Sequence, residues 1–242
     1  MKIISNKKDL DNLIGQQKNL GFVPTMGAIH KGHAYLVKKS KSMCKKTIVS
    51  IFINKPQFNR KSDFKNYPRN LNKDIQILRK LNVDYLFLPK HKDIYISKSK
   101  KINVGIVGKI LCGKYRPGHF EAVVDVIDRF INLIKPRMIF LGEKDMQQLK
   151  IVENYIKRKK IKVKVVGCKT IREKEGIPYS SRNFLLSQKD IKIASNIFKI
   201  LRINKRKLIL GKIKINKVKK KIYKLGVKNI EYLKIYDIGK FT

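Results

Sequence analysis

Two histidines separated by a glycine step are the residues most able to do chemistry in this chain. They lie in the decapeptide Pro24-Thr25-Met26-Gly27-Ala28-Ile29-His30-Lys31-Gly32-His33. A run of Leu20 to Val23 reads as a strand that stops at Pro24, and Ala34 to Cys44 reads as a helix, so the decapeptide joins a strand to a helix N-terminus. Such a terminus offers unpaired N–H groups and the positive end of a dipole. Gly27 and Gly32 let backbone approach a ligand closely. Two imidazoles three residues apart suit hydrogen bonding to phosphate oxygens while charge builds in a transition state. A metal site would need a third ligand, and no Glu or Cys lies at helpful spacing.

Three further segments carry weaker signals. Gly142-Glu143-Lys144-Asp145 sits at another strand-to-helix turn, where a lysine meets phosphates as a point charge. The same residues equally suit an ordinary helix cap, with Asp145 as the capping side chain. Tyr179-Ser180-Ser181-Arg182-Asn183 joins two hydroxyls and a guanidinium, which suit a triphosphate, although serine-rich loops are also ordinary linkers. Asn54-Lys55-Pro56-Gln57-Phe58-Asn59 follows a strand, and Gln57 there suits a small polar acid or a plain turn. Tyr67-Pro68-Arg69 lies further on, and Arg116-Pro117-Gly118-His119-Phe120 precedes a helix. Taken alone, His119 reads as a capping or packing residue.

The elements that must position these residues alternate. Thr47 to Ile53, Tyr85 to Leu88, Met138 to Leu141 and Lys162 to Cys168 read as strands. Leu71 to Leu81, Phe120 to Ile134 and Asp145 to Lys159 read as helices. This order predicts an α/β fold, a parallel sheet with helices on both faces, with ligands where strands end and helices begin. From about Ser187 the pattern changes. Two lysine-rich helices, Gln188 to Arg202 and Ile215 to Leu225, precede a lone strand, Glu231 to Ile235, which predicts a smaller α+β piece beginning between residues 172 and 187.

Composition excludes several classes. No apolar run nears the ~20 residues of a membrane-spanning helix, and Met1 to Leu13 has no secretory pattern. Cys44, Cys112 and Cys168 lie far apart, so neither a disulfide framework nor a zinc knuckle is expected, and a soluble cytoplasmic protein with reduced thiols is. The chain of 242 residues has 58 Lys plus Arg against 17 Asp plus Glu, a net charge of +41. That charge invites a nucleic-acid partner. The lysines, however, run from end to end instead of forming one basic face. A lysine-biased composition on ordinary solvent-facing positions is the plainer reading, with salt-sensitive, non-specific RNA contact as a side effect.

Taken in order, these segments resemble the pantothenate synthetase (pantoate–β-alanine ligase) family, within the HIGH-type nucleotidyltransferases, whose fold is Rossmann-like. The matching stretches are Val23 to His33, Asn54 to Phe58, Tyr67 to Arg69, Arg116 to Phe120, Leu141 to Leu149 and Ser180 to Asn183. The resemblance implies condensation of pantoate with β-alanine, driven by ATP through pantoyl adenylate. It implies that Met26, Gly27, Ala28, Ile29, His30, Lys31, Gly32 and His33 line ATP, together with Gly142, Glu143, Lys144, Asp145 and Ile171. Tyr179, Ser180, Ser181 and Arg182 would form the second phosphate loop, and Gln57 and Gln148 would hold pantoate. His33, His30, Lys144, Ser180, Ser181 and Arg182 would carry catalysis, with His33 as proton donor. Magnesium would arrive with ATP, with no dedicated metal cage, and the family is commonly a homodimer.

On this basis residues 1–175 form the ATP- and pantoate-binding domain and residues 176–242 a small, lid-like domain shorter than the family's. The chain departs from the family pattern at three further places. Lys55 replaces a proline, which moves to Pro56 and should alter the turn carrying Gln57. Ala122 replaces a glycine, and Asp125 puts an acid where a hydroxyl is usual. Two other functions stay open from the residues alone. One is a related adenylyltransferase for another small acid. The other is a basic nucleic-acid-binding protein that keeps the fold without the activity.

Overall fold

A computed structural model describes residues 1–14, 17–96 and 102–237. The chain divides into two compact units, Met1–Ile171 and Arg172–Thr242.

The first unit is an α/β layer structure. Its strands are β1 (Lys2–Ile4), β2 (Leu20–Thr25), β3 (Lys46–Ile51), β4 (Tyr85–Phe87), β5 (Met138–Gly142) and β6 (Lys164–Cys168). They form one sheet in the order β1-β4-β3-β2-β5-β6, and every pairing is parallel. Its helices are α1 (Lys7–Ile14), α2 (Lys31–Met43), α3 (Lys61–Lys65), α4 (Leu71–Lys80), α5 (His91–Ile94), α6 (Cys112–Tyr115), α7 (His119–Ile134) and α8 (Met146–Arg158). Both sheet faces are covered, which explains why the strands are apolar at consecutive positions. Phe22, Ile48, Phe87 and Ile139 face a core shared with α1, α7 and α8. Their neighbours Val23, Val49, Leu86 and Phe140 face a second core shared with α2 and α4. Gly21 permits the close seating of α2, because a Cβ there would collide with Ser40 Oγ.

The predicted elements recur with small shifts. β1 was not expected, since three residues carry too little pattern, yet Ile4 is fully buried beside β4. β2 continues through Pro24 although it is a central strand. Its pairing with β5 ends at Phe22–Ile139, whereas its pairing with β3 runs to Thr25–Ile51. The missing proline N–H thus falls where one side of the ladder has opened. This opening is also the switch point of the sheet. After β2 the chain builds outward through β3 and β4, and after β5 it builds the other way through β6. Ligands bind beyond the strand ends at such a place.

In the second unit an antiparallel bridge joins Arg172 and Pro178, and α9 (Gln188–Ile209) and α10 (Ile215–Tyr223) follow. Ser187 and Asp190 form a reciprocal capping box at the start of α9. That helix runs past the expected Arg202, because no glycine or proline interrupts it before Gly211. The expected strand Glu231 to Ile235 is not formed: the described residues after α10 are irregular. A strand needs a ladder partner for its backbone groups, and the described residues of this unit supply no other strand.

Candidate functional site

The β2–α2 connection is held more tightly than its sequence suggests. Gly27 and Ala28 both take left-handed backbone, with φ of 85° and 50°. A side chain at Gly27 would also press on Asp74. Asp74 projects from α4 and is 3% exposed. Its carboxylate accepts the Ala28 N–H at 2.8 Å and the Ile29 N–H at 2.7 Å. Thr25 Oγ1 accepts the Gly27 N–H at 3.2 Å and donates to the Ser50 carbonyl at 2.7 Å. Asp74 was missed in the sequence, where it reads only as an acid in the first turn of a helix. Its pairing with a loop 46 residues away leaves no local signal.

The two histidines cap α2 with each other. His30 is the N-cap, and its Nδ1 accepts from the N–H of Gly32 at 3.1 Å and of His33 at 3.4 Å. His33 Nδ1 accepts in turn from the His30 N–H at 3.4 Å. The rings stack with centroids 3.9 Å apart. An imidazole whose Nδ1 accepts carries its proton on Nε2, so both rings are neutral donors at that atom. Burial, then the Lys144 charge, lowers His30 to about 4. Burial, His30 and Lys144 together hold His33 well below its ordinary value.

This arrangement corrects one expectation. The N–H groups of Gly27, Ala28, Ile29, His30, Gly32 and His33 already have acceptors within the protein. The donors this corner presents are therefore imidazole Nε2–H and the Lys144 ammonium, not a row of open backbone amides.

Lys144 lies in a 3-10 turn, Glu143–Asp145, between β5 and α8. Asp145 is the N-cap residue of α8, as expected, but its side chain makes no capping hydrogen bond. It lines a cavity of about 180 Å³ at the open ends of β2 and β5. Met26, His33, Gln57 and Gln148 line the same cavity, with Asn54 and Tyr67. Val123, Val126, Ile127 and Phe130 of α7 form its apolar wall. Such a space, with one apolar wall and a few polar side chains, suits a small molecule and not a whole nucleotide.

Adjacent glutamines have separate tasks. Gln148 faces the cavity. Gln147 is buried, donates to the Val107 and Ile110 carbonyls at 2.7 and 2.8 Å, and accepts from the Cys112 N–H at 3.2 Å. Gln57 lines the cavity from the end of the 3-10 turn Lys55–Gln57, with Pro56 inside that turn. The Gln57 carbonyl accepts from His119 Nδ1 at 2.8 Å, so buried His119 props the turn.

Ile171 ends the first unit, and Tyr179, Ser180, Ser181 and Arg182 belong to the second. There Asn183 Nδ2 donates to Glu173 Oε1 at 2.9 Å and to the Pro178 carbonyl at 3.1 Å, and the Arg182 N–H reaches Ser180 Oγ at 3.3 Å. Among the described residues no three His, Cys, Asp or Glu side chains group as a metal site, and no helix is long and apolar enough to cross a membrane.

Comparison with known proteins gives concordant results. The family model described as pantoate-beta-alanine ligase matches residues 2–242. A pantothenate synthetase of Francisella tularensis subsp. novicida is 45% identical over 211 residues, 84% of this chain and 79% of that protein. One from Clostridium botulinum is 38% identical over 246 residues, covering 98% and 88%. The crystal structure of pantothenate synthetase from Thermus thermophilus superposes with a TM-score of 0.91 at 30% identity, over 100% of this chain and 89% of that one. That of pantoate-beta-alanine ligase from Francisella tularensis, complexed with beta-gamma ATP and beta-alanine, gives 0.86 at 38%, over 97% and 90%.

Proposed function

The chain belongs to the pantoate–β-alanine ligase family, and from that premise we propose how its own residues carry the reaction. The enzyme condenses pantoate with β-alanine at the expense of ATP. The pantoate carboxylate attacks the α-phosphorus, and pyrophosphate leaves. The β-alanine amine then attacks the acyl carbon of the adenylate, loses a proton, and AMP leaves as pantothenate forms. No protein nucleophile enters this sequence, so catalysis rests on alignment and on charge stabilisation.

One observation carries the assignment of residues. At the switch point of the sheet, a mutually capped imidazole pair, a lysine charge and a small cavity with two glutamines converge. In the proposed mechanism pantoate occupies the cavity. Its dimethyl carbon packs on Val123, Val126, Ile127 and Phe130, while Gln57 and Gln148 hydrogen-bond its oxygens. The carboxylate is thereby aimed at the corner where His33 and Lys144 meet. His33 Nε2–H donates to an α-phosphate oxygen as the pentacoordinate charge develops, with His30 beside it. A neutral imidazole suits this task, since its proton is held on the donating atom by the amide bonds at Nδ1. Lys144 supplies the formal positive charge. Met26, Gly27, Ala28, Ile29, Lys31, Gly32, Gly142, Glu143 and Asp145 shape the ATP side, Ile171 meets the nucleoside, and Tyr179, Ser180, Ser181 and Arg182 grip the phosphates.

ATP would act as its magnesium complex in this reading, the ion supplying charge neutralisation to the phosphates alongside Lys144. The homodimer, the cytoplasmic location and the merely non-specific contact with nucleic acid remain parts of the proposal. They rest on family likeness and on lysines spread over the whole chain. Pyrophosphate release from ATP and magnesium tests the mechanism. It should require pantoate, and pantothenate should appear only on adding β-alanine. Pantoate-independent release, or unaltered turnover in His33→Ala, would refute the assignment.

A further inference from the structure

A chain of side chains runs from the back of α7 to the cavity, and it begins at Asp125, where the family pattern has a hydroxyl. Asp125 Oδ1 accepts from Arg129 Nε at 3.0 Å, and each side chain is only 12% exposed. The Arg129 guanidinium lies over the Tyr95 ring at 4.6 Å and donates to the Ile94 carbonyl at 3.2 Å. The Tyr95 hydroxyl reaches Asn54 Oδ1 at 2.6 Å. Asn54, 1% exposed, sends its Nδ2 to the Ala122 carbonyl and to Gln57 Oε1, both at 3.1 Å. Gln57 Nε2 then points to Met26 Sδ at 3.0 Å, on the cavity wall.

The order of donors and acceptors along this chain is fixed at one end. The Ala122 carbonyl can only accept, so the Asn54 atom beside it must be the amide nitrogen. The other Asn54 atom is then the oxygen, and Tyr95 must donate to it. The same Asn54 nitrogen also faces Gln57, so the Gln57 atom it meets must be the oxygen. Gln57 is left with its NH2 group toward the cavity. Two N–H bonds cannot both serve one sulfur, so one remains for a substrate oxygen.

We propose that Tyr95, Arg129 and Asp125 are positioning residues that lock Gln57 as a hydrogen-bond donor in the acid-binding cavity, so that the site selects an oxygen acceptor there. The proposal rests on the reading that Gln57 meets pantoate. Burial and the Asp125 charge raise the Tyr95 phenol to about 12, so it keeps the proton it must donate. Arg129 holds the ring by its face, and Asp125 balances and orients the guanidinium in a nearly dry setting.

The test is steady-state kinetics on the full chain with pantoate and ATP varied separately, beside thermal melts. Gln57→Ala should raise the pantoate KM at least tenfold, and Gln57→Glu should raise it further, since a carboxylate offers no donor and also repels the substrate's own negative charge. Tyr95→Phe keeps the ring and should raise the pantoate KM about tenfold, as for one lost hydrogen bond at a desolvated site. The ATP KM should stay within about twofold. Arg129→Ala should act in the same direction and Arg129→Lys should restore much of the loss, because a cation remains over the ring. Asp125→Asn gives a second entry to the chain should Tyr95→Phe fold poorly. An unchanged pantoate KM in Gln57→Ala would refute the underlying reading. A raised KM there, with none in Tyr95→Phe and Asp125→Asn, would overturn the positioning role alone. Parallel rises in both KM values, tracking a lowered Tm, would reduce the chain to a packing feature and overturn it equally.

Discussion

The two phosphate-reading segments proposed for this enzyme are built in opposite ways. The β2–α2 connection is bound at nearly every atom: six amides have acceptors, two residues are in left-handed backbone, and a buried carboxylate ties it to α4. The Tyr179–Arg182 loop is half-buried, with the Arg182 N–H on Ser180 Oγ and the adjacent Asn183 Nδ2 on the Pro178 carbonyl and Glu173. Their surroundings differ too. The first unit has a double core on both faces of a sheet. In the second, Ile177, Val218 and Ile222 are the buried apolar residues among those described, while Phe184, Leu185, Leu186, Ile203, Ile209 and Leu210 are exposed. A preorganised corner suits charge that appears only in the transition state. A loop in a unit with so few buried apolar residues suits a long, flexible ligand tail, since elements that move are drawn from the low-stability end of a fold.

Removing a donor from the preorganised corner should therefore cost more than removing one from the loop. His33→Ala or Lys144→Ala should lower the rate of adenylate formation by about 10²-fold or more, with little change in the KM for either substrate. Arg182→Ala should raise the ATP KM by roughly tenfold, as for a lost charge-assisted bond at a half-buried site. Stopped-flow or coupled measurement of pyrophosphate release separates the two. Equal effects, or a kcat effect confined to Arg182→Ala, would break the contrast.

Asp74 is the next lever. Asp74→Ala leaves the Ala28 and Ile29 amides without acceptors beneath a left-handed pair. It should destabilise the protein by about 2 kcal/mol, within the range for buried unsatisfied groups. Activity should fall further than stability, because the loop that aims the histidines is released. A thermal melt beside a turnover assay checks this. A variant with normal activity and a lowered Tm would mean that the loop needs no tether.

Most of the sheet was legible, because buried parallel strands and strand-to-helix turns leave local patterns, whereas Gln57 and Gln148, which line the cavity, were singled out by resemblance to a family. Phe120 to Ile134 shows its stripe plainly, and the order of motifs identifies the corner. What stayed hidden is what depends on distant partners. Nothing near Asp74 shows that two amides of another loop reach it. Nothing in Gln147-Gln148 shows which side chain turns inward. The use of both Nδ1 atoms as caps was equally invisible, so the helix end looked open when it is closed. Glu231 to Ile235 has strand composition but no neighbour to pair with, and composition alone does not supply one.

Acid should expose the same contrast with a smaller effect. Folding depresses His30 from 6.5 to about 4, whereas the unfolded chain takes its proton near 6.5. The contribution of neutral His30 is therefore complete above about pH 6.5 and is lost progressively as pH falls toward 4. His33 shifts in the same direction. In the second unit the Ser187 hydrogen bonds lower Asp190 below its ordinary 3.8, so that cap is lost only at pH values below the window for His30. Hydrogen exchange should show the first turn of α2 loosening between pH 6.5 and 4 while the first turn of α9 stays protected relative to its own neighbours. The reverse order would contradict the capping roles assigned to the imidazoles.

The smallest expected effect is at Lys55, the most visible departure in the sequence. Its side chain is exposed and lies 5.9 Å from the Phe64 ring centroid. An exposed contact of that kind contributes about 0.5 kcal/mol. The turn itself is closed by the Gln57 N–H to the Asn54 carbonyl and the Phe58 N–H to the Lys55 carbonyl, both backbone bonds that any residue at 55 can make. Pro56 already fixes φ inside the turn. Gln57 takes its direction from Asn54 and its height from His119. Lys55→Ala should therefore change Tm by no more than a degree or two and leave the pantoate KM within about twofold. A large rise in that KM would show that the cation itself reaches the acid. The contrast between a rigid first unit and an adaptable second would then have to be redrawn around an exposed lysine.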